Sequence, residues 1–323
     1  MHWLYRFVKN WMLLLSIVAG IIGYFIFASL PLEANTKYCT YISITHYIQP
    51  VLIFEMLFLS FLKVSPKEMR PRRWQLWVLV VQTGLFIFFS LLAMSMPNEG
   101  LKVLCEGAML CFLCPTATAS AVITGKLGGS TSGVVTYLII CNLMVSVVAP
   151  LFLPLVESSD ITFLGAFLAI LSKIFPMLIL PLVFAWFVRF CISFLYRWLI
   201  KFRDLSFYIW GVSLSLAIAV TVRSIVHSSV DIWFLFGLAL ISCICCFMQF
   251  RVGQYIGKRY GKSEEITAGQ AFGQKNTVFV IWMGQVFLNP VTSVVGGFYS
   301  LWHNAMNTWE LYRARKAGIK ENG

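Results

Sequence analysis

The chain has 323 residues, of which 59% are hydrophobic and only 12% are charged, and its mean hydropathy is +0.81. A soluble domain of this size carries roughly twice that charged fraction. The apolar segments approach the length of about twenty residues that crosses a bilayer as a helix, whereas barrel strands are shorter and alternate in polarity. Composition therefore excludes an ordinary soluble protein and predicts an all-α membrane protein.

The net charge of +12 is explained by membrane topology and not by nucleic-acid binding. About twenty of the 25 Lys and Arg residues fall on one side if the chain starts inside, which is the positive-inside pattern. No RNA- or DNA-binding motif accompanies them. We expect a multi-pass protein of the inner (plasma) membrane, with both termini cytoplasmic, the lipid bilayer as a partner and no nucleic-acid partner. The basic clusters are Lys63–Arg73, Arg189–Arg203, Arg251–Lys262 and Arg313–Lys320.

Hydrophobic segments predict ten transmembrane helices in chain order. Since five is odd, a second set of five would start on the opposite side of the membrane and form an inverted repeat. We expect a first repeat at 1–155, a second at 156–312 and a basic cytoplasmic tail at 313–323. The segments are about 11–31, 41–63, 74–95, 101–124, 131–155, 161–188, 205–223, 230–250, 265–286 and 288–309.

Polar, Gly and Pro residues interrupt the fourth and the ninth segment, which are equivalent positions of the two halves. The first interruption runs from Cys114 to Ser120, where Pro115 removes a backbone donor. The second runs from Gly269 to Asn276. Unwound backbone survives at membrane depth only where protein or a wet cavity covers it. Paired interruptions of this kind indicate the binding site of a secondary transporter.

Lys275 is the exceptional residue of the second interruption, because an ionisable group at bilayer depth is costly and normally serves a function. A structural alternative pairs Lys275 with Glu55, the acidic residue well inside an early helix. Lys173 has two alternative roles, since it could pair with Glu55 or line the cavity.

Enzyme and cofactor chemistry has little support in the sequence. Cys111-x-x-Cys114 lacks a second pair or a histidine at ligand spacing, so we expect the nine cysteines to pack between helices and no cofactor to be bound. An intramembrane enzyme is the less favoured class, because no Gly-x-Ser-x-Gly, paired catalytic aspartates or His-Glu-x-x-His occurs.

The two interruptions and the tail resemble one known family. Cys114-Pro-Thr-Ala-Thr-Ala-Ser-Ala-Val122 resembles the Cys-Pro-Gly-Gly-Thr-Ala-Ser-Asn-Val signature of the bile acid:sodium symporter superfamily. The ninth segment resembles that family's Glu-x-Gly-x-Gln-Asn stretch, and Phe298–Asn304 its Phe-Ser-x-Trp-His-Asn sequence. The chain looks like a divergent prokaryotic member.

That resemblance implies a fold and a mechanism. Helices 1, 2, 6 and 7 would form a panel domain, and the other six a core domain in which broken helices 4 and 9 cross. Family members co-transport an organic anion with two sodium ions by alternating access. Carried over position by position, the resemblance implies sodium ligands at Gln82, Ser120 and Asn142. The whole implied cation or substrate site comprises Gln82, Thr118, Ser120, Asn142, Gln270, Gln274, Lys275 and Asn276.

Departures from the family pattern bear on the coupling ion. Ala121 stands at an asparagine position, Ala271 at the acidic residue shared by both sodium sites, and Lys275 at a glutamine ligand. Sodium sites need several oxygen ligands, preferably with a carboxylate. We therefore expect Lys275 to take the place of a cation. Burial favours the neutral form of a lysine, which also permits proton exchange, so sodium, protons or neither stay open.

The leading function is a secondary active transporter of a small organic anion, such as a bile-acid-like, keto or other carboxylic or sulfonic acid. The alternative is a non-transporting sensor or assembly subunit on the same fold, which the missing carboxylate at Ala271 keeps open.

Overall fold

A computed structural model describes residues 2–157, 162–202, 204–228 and 231–316. Every regular element in these ranges is helical. The helices are α1 (His2–Ser29), α2 (Ala34–Ser43), α3 (Gln49–Leu62), α4 (Arg73–Ser95), α5 (Glu99–Leu113), α6 (Ser120–Lys126), α7 (Thr131–Val156), α8 (Phe163–Cys191), α9 (Ser193–Leu199), α10 (Leu205–Val226), α11 (Ile232–Lys258), α12 (Lys262–Gly273), α13 (Thr277–Phe287) and α14 (Val294–Lys316).

Seven helices in the described residues are long and apolar enough to cross a membrane, which confirms an all-α membrane protein. One of the seven, Ala34–Leu62, joins α2 and α3 through a π-helical turn at Ile44–Ile48. Residues 313–316, the start of the predicted cytoplasmic tail, are helical and continue α14. The remainder of that predicted tail, 317–323, lies outside the described residues.

The fourth and ninth segments are each split into two shorter helices, as their sequences predict. The first split separates α5 from α6 at 114–119, and the second separates α12 from α13 at 274–276. The second is narrower than expected, because α12 continues from Gly269 to Gly273 before it ends. Gly269 serves close packing and not unwinding, since a Cβ at this position would lie 2.6 Å from the Cγ of Gln254 on α11.

Small residues let α11 and α12 pack with their backbones close together. A Cβ at Gly253 would lie 2.5 Å from the carbonyl oxygen of Ala268, and one at Gly257 would lie 2.2 Å from that of Glu264. On α12, a Cβ at Gly273 would enter the ring of Phe250. Each helix thus carries glycines four residues apart on the shared face, the arrangement that favours close helix contact in membranes.

The helices contact one another in two groups. In one group, α1 packs against α10, and α3 packs against α8 and α10. In the other, α5 packs against α4 and α11, and α11 also contacts α12 and α14. α12 additionally touches α4, α6 and α7, while α13 reaches α3, α10 and the π-helical turn. Both broken segments therefore lie in the second group, which α13 and α7 connect to the first, since α7 packs against α8.

Candidate functional site

The two helix breaks cross and pair through their backbones. Thr116 and Lys275 form an isolated antiparallel bridge. On either side of it, the Ala117 amide donates to the Gln274 carbonyl at 3.0 Å, and the Asn276 amide donates to the Pro115 carbonyl at 2.9 Å. Each break therefore satisfies backbone groups that the other leaves without a helical partner, as membrane burial requires.

Side chains of the first break add two further hydrogen bonds to the crossing. The Thr116 hydroxyl donates to the Ala271 carbonyl at 2.6 Å, and the Cys114 thiol donates to the Asn276 carbonyl at 3.1 Å. Neither contact was predicted from the sequence. There, Ala271 was interpreted as a position that lacks the family's acidic ligand, and Cys114 as one of the cysteines that pack between helices. The sequence Pro115-Thr116 places a hydroxyl directly beside the proline, which is the signal that identifies Thr116.

Lys275 is enclosed at the crossing. Its side chain is 1% exposed, and its Nζ has no hydrogen-bond partner among the described residues. The ammonium lies 4.9 Å from the ring centroid of Phe272, a cation–π contact that offsets part of its desolvation. The thiols of Cys111, Cys114, Cys141 and Cys246 also interact with it electrostatically. A buried cation with so few compensating contacts leaves an anion or water to be supplied from outside the chain.

The alternative pairing of Lys275 with Glu55 is wrong. Glu55 is exposed on α3, and Lys275 has no salt bridge within the described part of the chain. Glu55 belongs to the first helix group, whereas Lys275 is buried in the second. Lys173 forms no described ion pair with Glu55 either; it is exposed, with its Nζ 5.7 Å from the ring centroid of Phe287.

Gln82 reaches the first break from α4, as expected. Its Nε2 lies 3.2 Å from both the Cys114 carbonyl and the Cys141 sulfur. Its Oε1 accepts a hydrogen bond of 2.7 Å from the Tyr137 hydroxyl, a partner that the sequence did not indicate. Gln82 therefore positions the break, and its oxygen already has a protein donor.

Ser120 and Thr118 make only local arrangements at the start of α6. The Ser120 hydroxyl donates to the Ala117 carbonyl at 2.6 Å, which closes the turn. Thr118 is half-buried, and Ala119 beside it is exposed. This end of the first break is accordingly the part of the crossing that solvent or a ligand reaches from the surface.

Several buried polar atoms around the crossing lack hydrogen-bond partners among the described residues. Asn142 on α7 is 2% exposed, yet both its Oδ1 and its Nδ2 are unpaired. The Asn276 Oδ1 caps α13 by accepting from the Phe279 amide at 3.4 Å, while its Nδ2 is unpaired. Buried polar groups in native proteins are nearly always satisfied, so ordered water or a bound species belongs here. The further unpaired atoms are Thr277 Oγ1, Gln249 Oε1 and Ser300 Oγ.

A chain of side-chain amides leads from the second break to a carboxylate. Gln274 donates to Gln270, and the Gln270 Nε2 donates to the Glu310 carboxylate at 2.5 Å. The Gln254 Nε2 donates to the other oxygen of Glu310 at 2.6 Å. Glu310 was not predicted from the sequence, because it comes from the far end of α14. A carboxylate thus acts on the second break through Gln270, although none lies at position 271.

Two further side chains fix the ends of the broken helices. The Tyr299 hydroxyl on α14 donates to the Gly273 carbonyl at 2.8 Å, at the end of α12. The Gln249 Nε2 on α11 donates to the Cys111 carbonyl at 3.2 Å, near the end of α5. Both occupy carbonyls that a broken helix leaves unsatisfied.

Gln285, near the far end of α13, links the two helix groups. Its Oε1 accepts from the Tyr41 hydroxyl on α2 at 2.8 Å, and its Nε2 donates to Ser224 on α10 at 3.0 Å. Nearby, the Trp282 indole donates to the Thr45 carbonyl at 3.0 Å, within the π-helical turn. The ninth segment is therefore tied to α2, α10 and that turn at this end.

No group of three or more His, Cys, Asp or Glu residues in the described ranges could hold a metal ion. The crossing instead presents an ammonium, amides, hydroxyls and the amide end of α13, all of which can bind an anion. No family model and no curated protein matches this chain.

Proposed function

We propose that the protein is a secondary active transporter of a small organic anion, with an inverted five-plus-five repeat and a bile acid:sodium symporter-like fold. The observation that carries this proposal is the crossing of the two breaks, where Thr116 pairs with Lys275 and the Lys275 ammonium has no carboxylate partner in the described residues. Paired broken helices at one site are the arrangement from which secondary transporters build binding sites.

Lys275 takes the place of a bound cation in this proposal. The Lys275 ammonium is covalently part of the chain and places one positive charge at the crossing. It would repel a sodium ion at the same place. One expected sodium ligand supports this, since the Gln82 oxygen already accepts a hydrogen bond from Tyr137. The substrate anion then neutralises Lys275 when it binds.

The resting arrangement faces the cytoplasm. With both termini cytoplasmic, α13 is the extracytoplasmic half of the ninth segment, and Gln285 ties it to α2 and α10. α12, the cytoplasmic half, packs against α4, α6, α7 and α11 of its own group. The site is therefore closed at the Gln285 end of α13, whereas Thr118 at the first break is half-exposed. Alternating access requires an end state that is closed on one side of the membrane and open on the other.

Uptake of labelled organic acids into proteoliposomes, with sodium and pH gradients imposed separately, tests the function. We expect uptake in sodium-free buffer. Strictly sodium-dependent uptake would overturn the role of Lys275. Thermal stabilisation by an organic acid without any uptake would favour the sensor, for which Ala271, lacking a ligand side chain, is the specific support.

A further inference from the structure

A second buried ionisable group lies in the middle of α5, away from the crossing. Glu106 is 0% exposed, and its Oε1 takes no hydrogen bond from the described residues. Lys102, one turn earlier, lies 3.7 Å from that oxygen. The same Lys102 Nζ lies 3.0 Å from Glu157, directly after α7. Two carboxylates therefore share one ammonium.

The two carboxylates lie beside the same ammonium. Glu106 Oε1 and Glu157 Oε1 are 3.7 and 3.0 Å from the Lys102 Nζ, and a hydrogen bond between two carboxyl groups at this place needs a proton on one of them. The other Glu106 oxygen, Oε2, accepts from the Thr292 hydroxyl at 2.7 Å. A proton held between Glu106 and Glu157 gives the unpaired oxygen a partner and brings the three charged groups to net zero, since two carboxylates and one ammonium otherwise carry −1.

The surroundings allow a proton to enter from one side. The Glu157 side chain is 36% exposed and that of Lys102 is 25% exposed, whereas that of Glu106 is enclosed. Lys102, Glu157 and the Cys105 thiol are the charged or titratable groups that interact with Glu106 among the described residues. On the adjacent α11, Asp231 is engaged at its own helix start, where it accepts from the Trp233 amide.

We propose that Glu106 and Glu157 form a proton-binding site, loaded from the extracytoplasmic side through Glu157, and that this proton is the coupling ion of the transporter. Binding forms one O–H bond at a carboxyl group with a proton taken from bulk water, and release returns it there; no electrons are transferred. The coupling role rests on the proposed function, whereas the proton site itself does not.

The site also has a mechanical connection to the broken helices. Glu106 lies on α5, whose end forms the first break, and Thr292 lies in the 3₁₀ turn Pro290–Ser293, which follows α13 and precedes α14. Protonation changes the charge between these segments and α7. It thereby favours one arrangement of the broken helices over another, the requirement for an ion to drive alternating access.

Infrared difference spectroscopy of the full-length protein in nanodiscs, titrated with acid and base, tests the proton site. We expect a protonated-carboxyl band that disappears as pH rises and that is absent from both Glu106→Gln and Glu157→Gln. Glu99→Gln, an exposed carboxyl on the same helix, is the matched control and retains the band. An unchanged band in both variants would overturn the site.

Lys102→Met keeps the test decisive if Glu106→Gln does not fold. Removing the ammonium takes away a charge that stabilises the ionised carboxylates, so the band should persist to higher pH. A band that titrates at the same pH as in the wild type would contradict the shared-proton arrangement.

Coupling is tested separately in proteoliposomes. A pH gradient of about one unit supports roughly tenfold accumulation for one proton per anion, and Glu106→Gln should abolish that accumulation while Glu99→Gln keeps it. Full accumulation by Glu106→Gln would overturn the coupling role. If no variant accumulates any organic acid, the transporter proposal fails, while the infrared titration still decides the proton site.

Discussion

The backbone amide of Asn276 donates a hydrogen bond of 2.9 Å to the carbonyl of Pro115, and this contact joins two helix breaks that are 161 residues apart in sequence. Proline has no backbone donor but keeps its carbonyl as an acceptor. The second break supplies the donor. The site therefore depends on both broken segments being present and aligned.

Thr116→Val should destabilise the crossing. Valine keeps the volume but leaves the Ala271 carbonyl without the 2.6 Å hydrogen bond from Thr116, a loss of about 1–3 kcal/mol for a buried acceptor. Thermal unfolding in detergent measures the effect. Thr308→Val is the matched control, because its exposed hydroxyl bonds only to the Asn304 carbonyl one turn earlier. Equal stability of the two variants would contradict this prediction.

Gly257→Ala should separate α11 from α12. The new Cβ would lie 2.2 Å from the Glu264 carbonyl oxygen, and relieving such overpacking costs about 1–3 kcal/mol. Gly84→Ala on α4 introduces the same methyl group with nothing within 4 Å. It should be neutral or slightly stabilising, because alanine is the better helix former. A chemical denaturation series of both variants gives the comparison.

Tyr41→Phe should loosen the end of α13 at Gln285. The variant loses one hydrogen bond to Gln285, worth about 1 kcal/mol, so local opening should increase roughly fivefold. Hydrogen exchange of residues 277–293 reports this opening. Tyr47→Phe provides the control, since Tyr47 is 69% exposed, and faster exchange in both variants alike would refute a specific link.

Glu310→Gln should weaken the second break from a distance. The neutral amide offers one acceptor oxygen to two converging donors, Gln254 and Gln270, and charge-assisted bonds of this kind contribute about 1.5–3 kcal/mol. Glu265→Gln alters only a surface pair with Lys262, where we expect less than about 1 kcal/mol. Differential scanning fluorimetry distinguishes the two.

The sequence predicted those features that follow from local chemistry. The apolar segments, the break at Pro115 and the burial of Lys275 all have signals within a few residues of themselves. Contacts between distant segments had no such signal. Glu310 lies 40 residues from Gln270 and just beyond the tenth hydrophobic segment, so its carboxylate was missed. Gly269 was interpreted as part of the break because a glycine's packing partner, here Gln254, is invisible in one sequence.

We expect replacement of Lys275 to change the stability of the protein and its anion uptake in opposite directions. A buried cation without a partner costs free energy, so Lys275→Met should raise the free energy of unfolding by about 1–3 kcal/mol. The same variant should lose anion uptake, a trade-off expected where a functional group is held in an unfavourable place. A Lys275→Met variant that is less stable than the wild type would indicate a structural lysine instead.

Sodium-free uptake of a labelled organic acid by Lys275→Gln proteoliposomes tests the central claim most directly. Glutamine keeps much of the side-chain length and the polarity but removes the positive charge that we place at the cation position. The wild type should transport without sodium, and Lys275→Gln should lose that transport or require added sodium. Full sodium-free transport by Lys275→Gln would contradict the account.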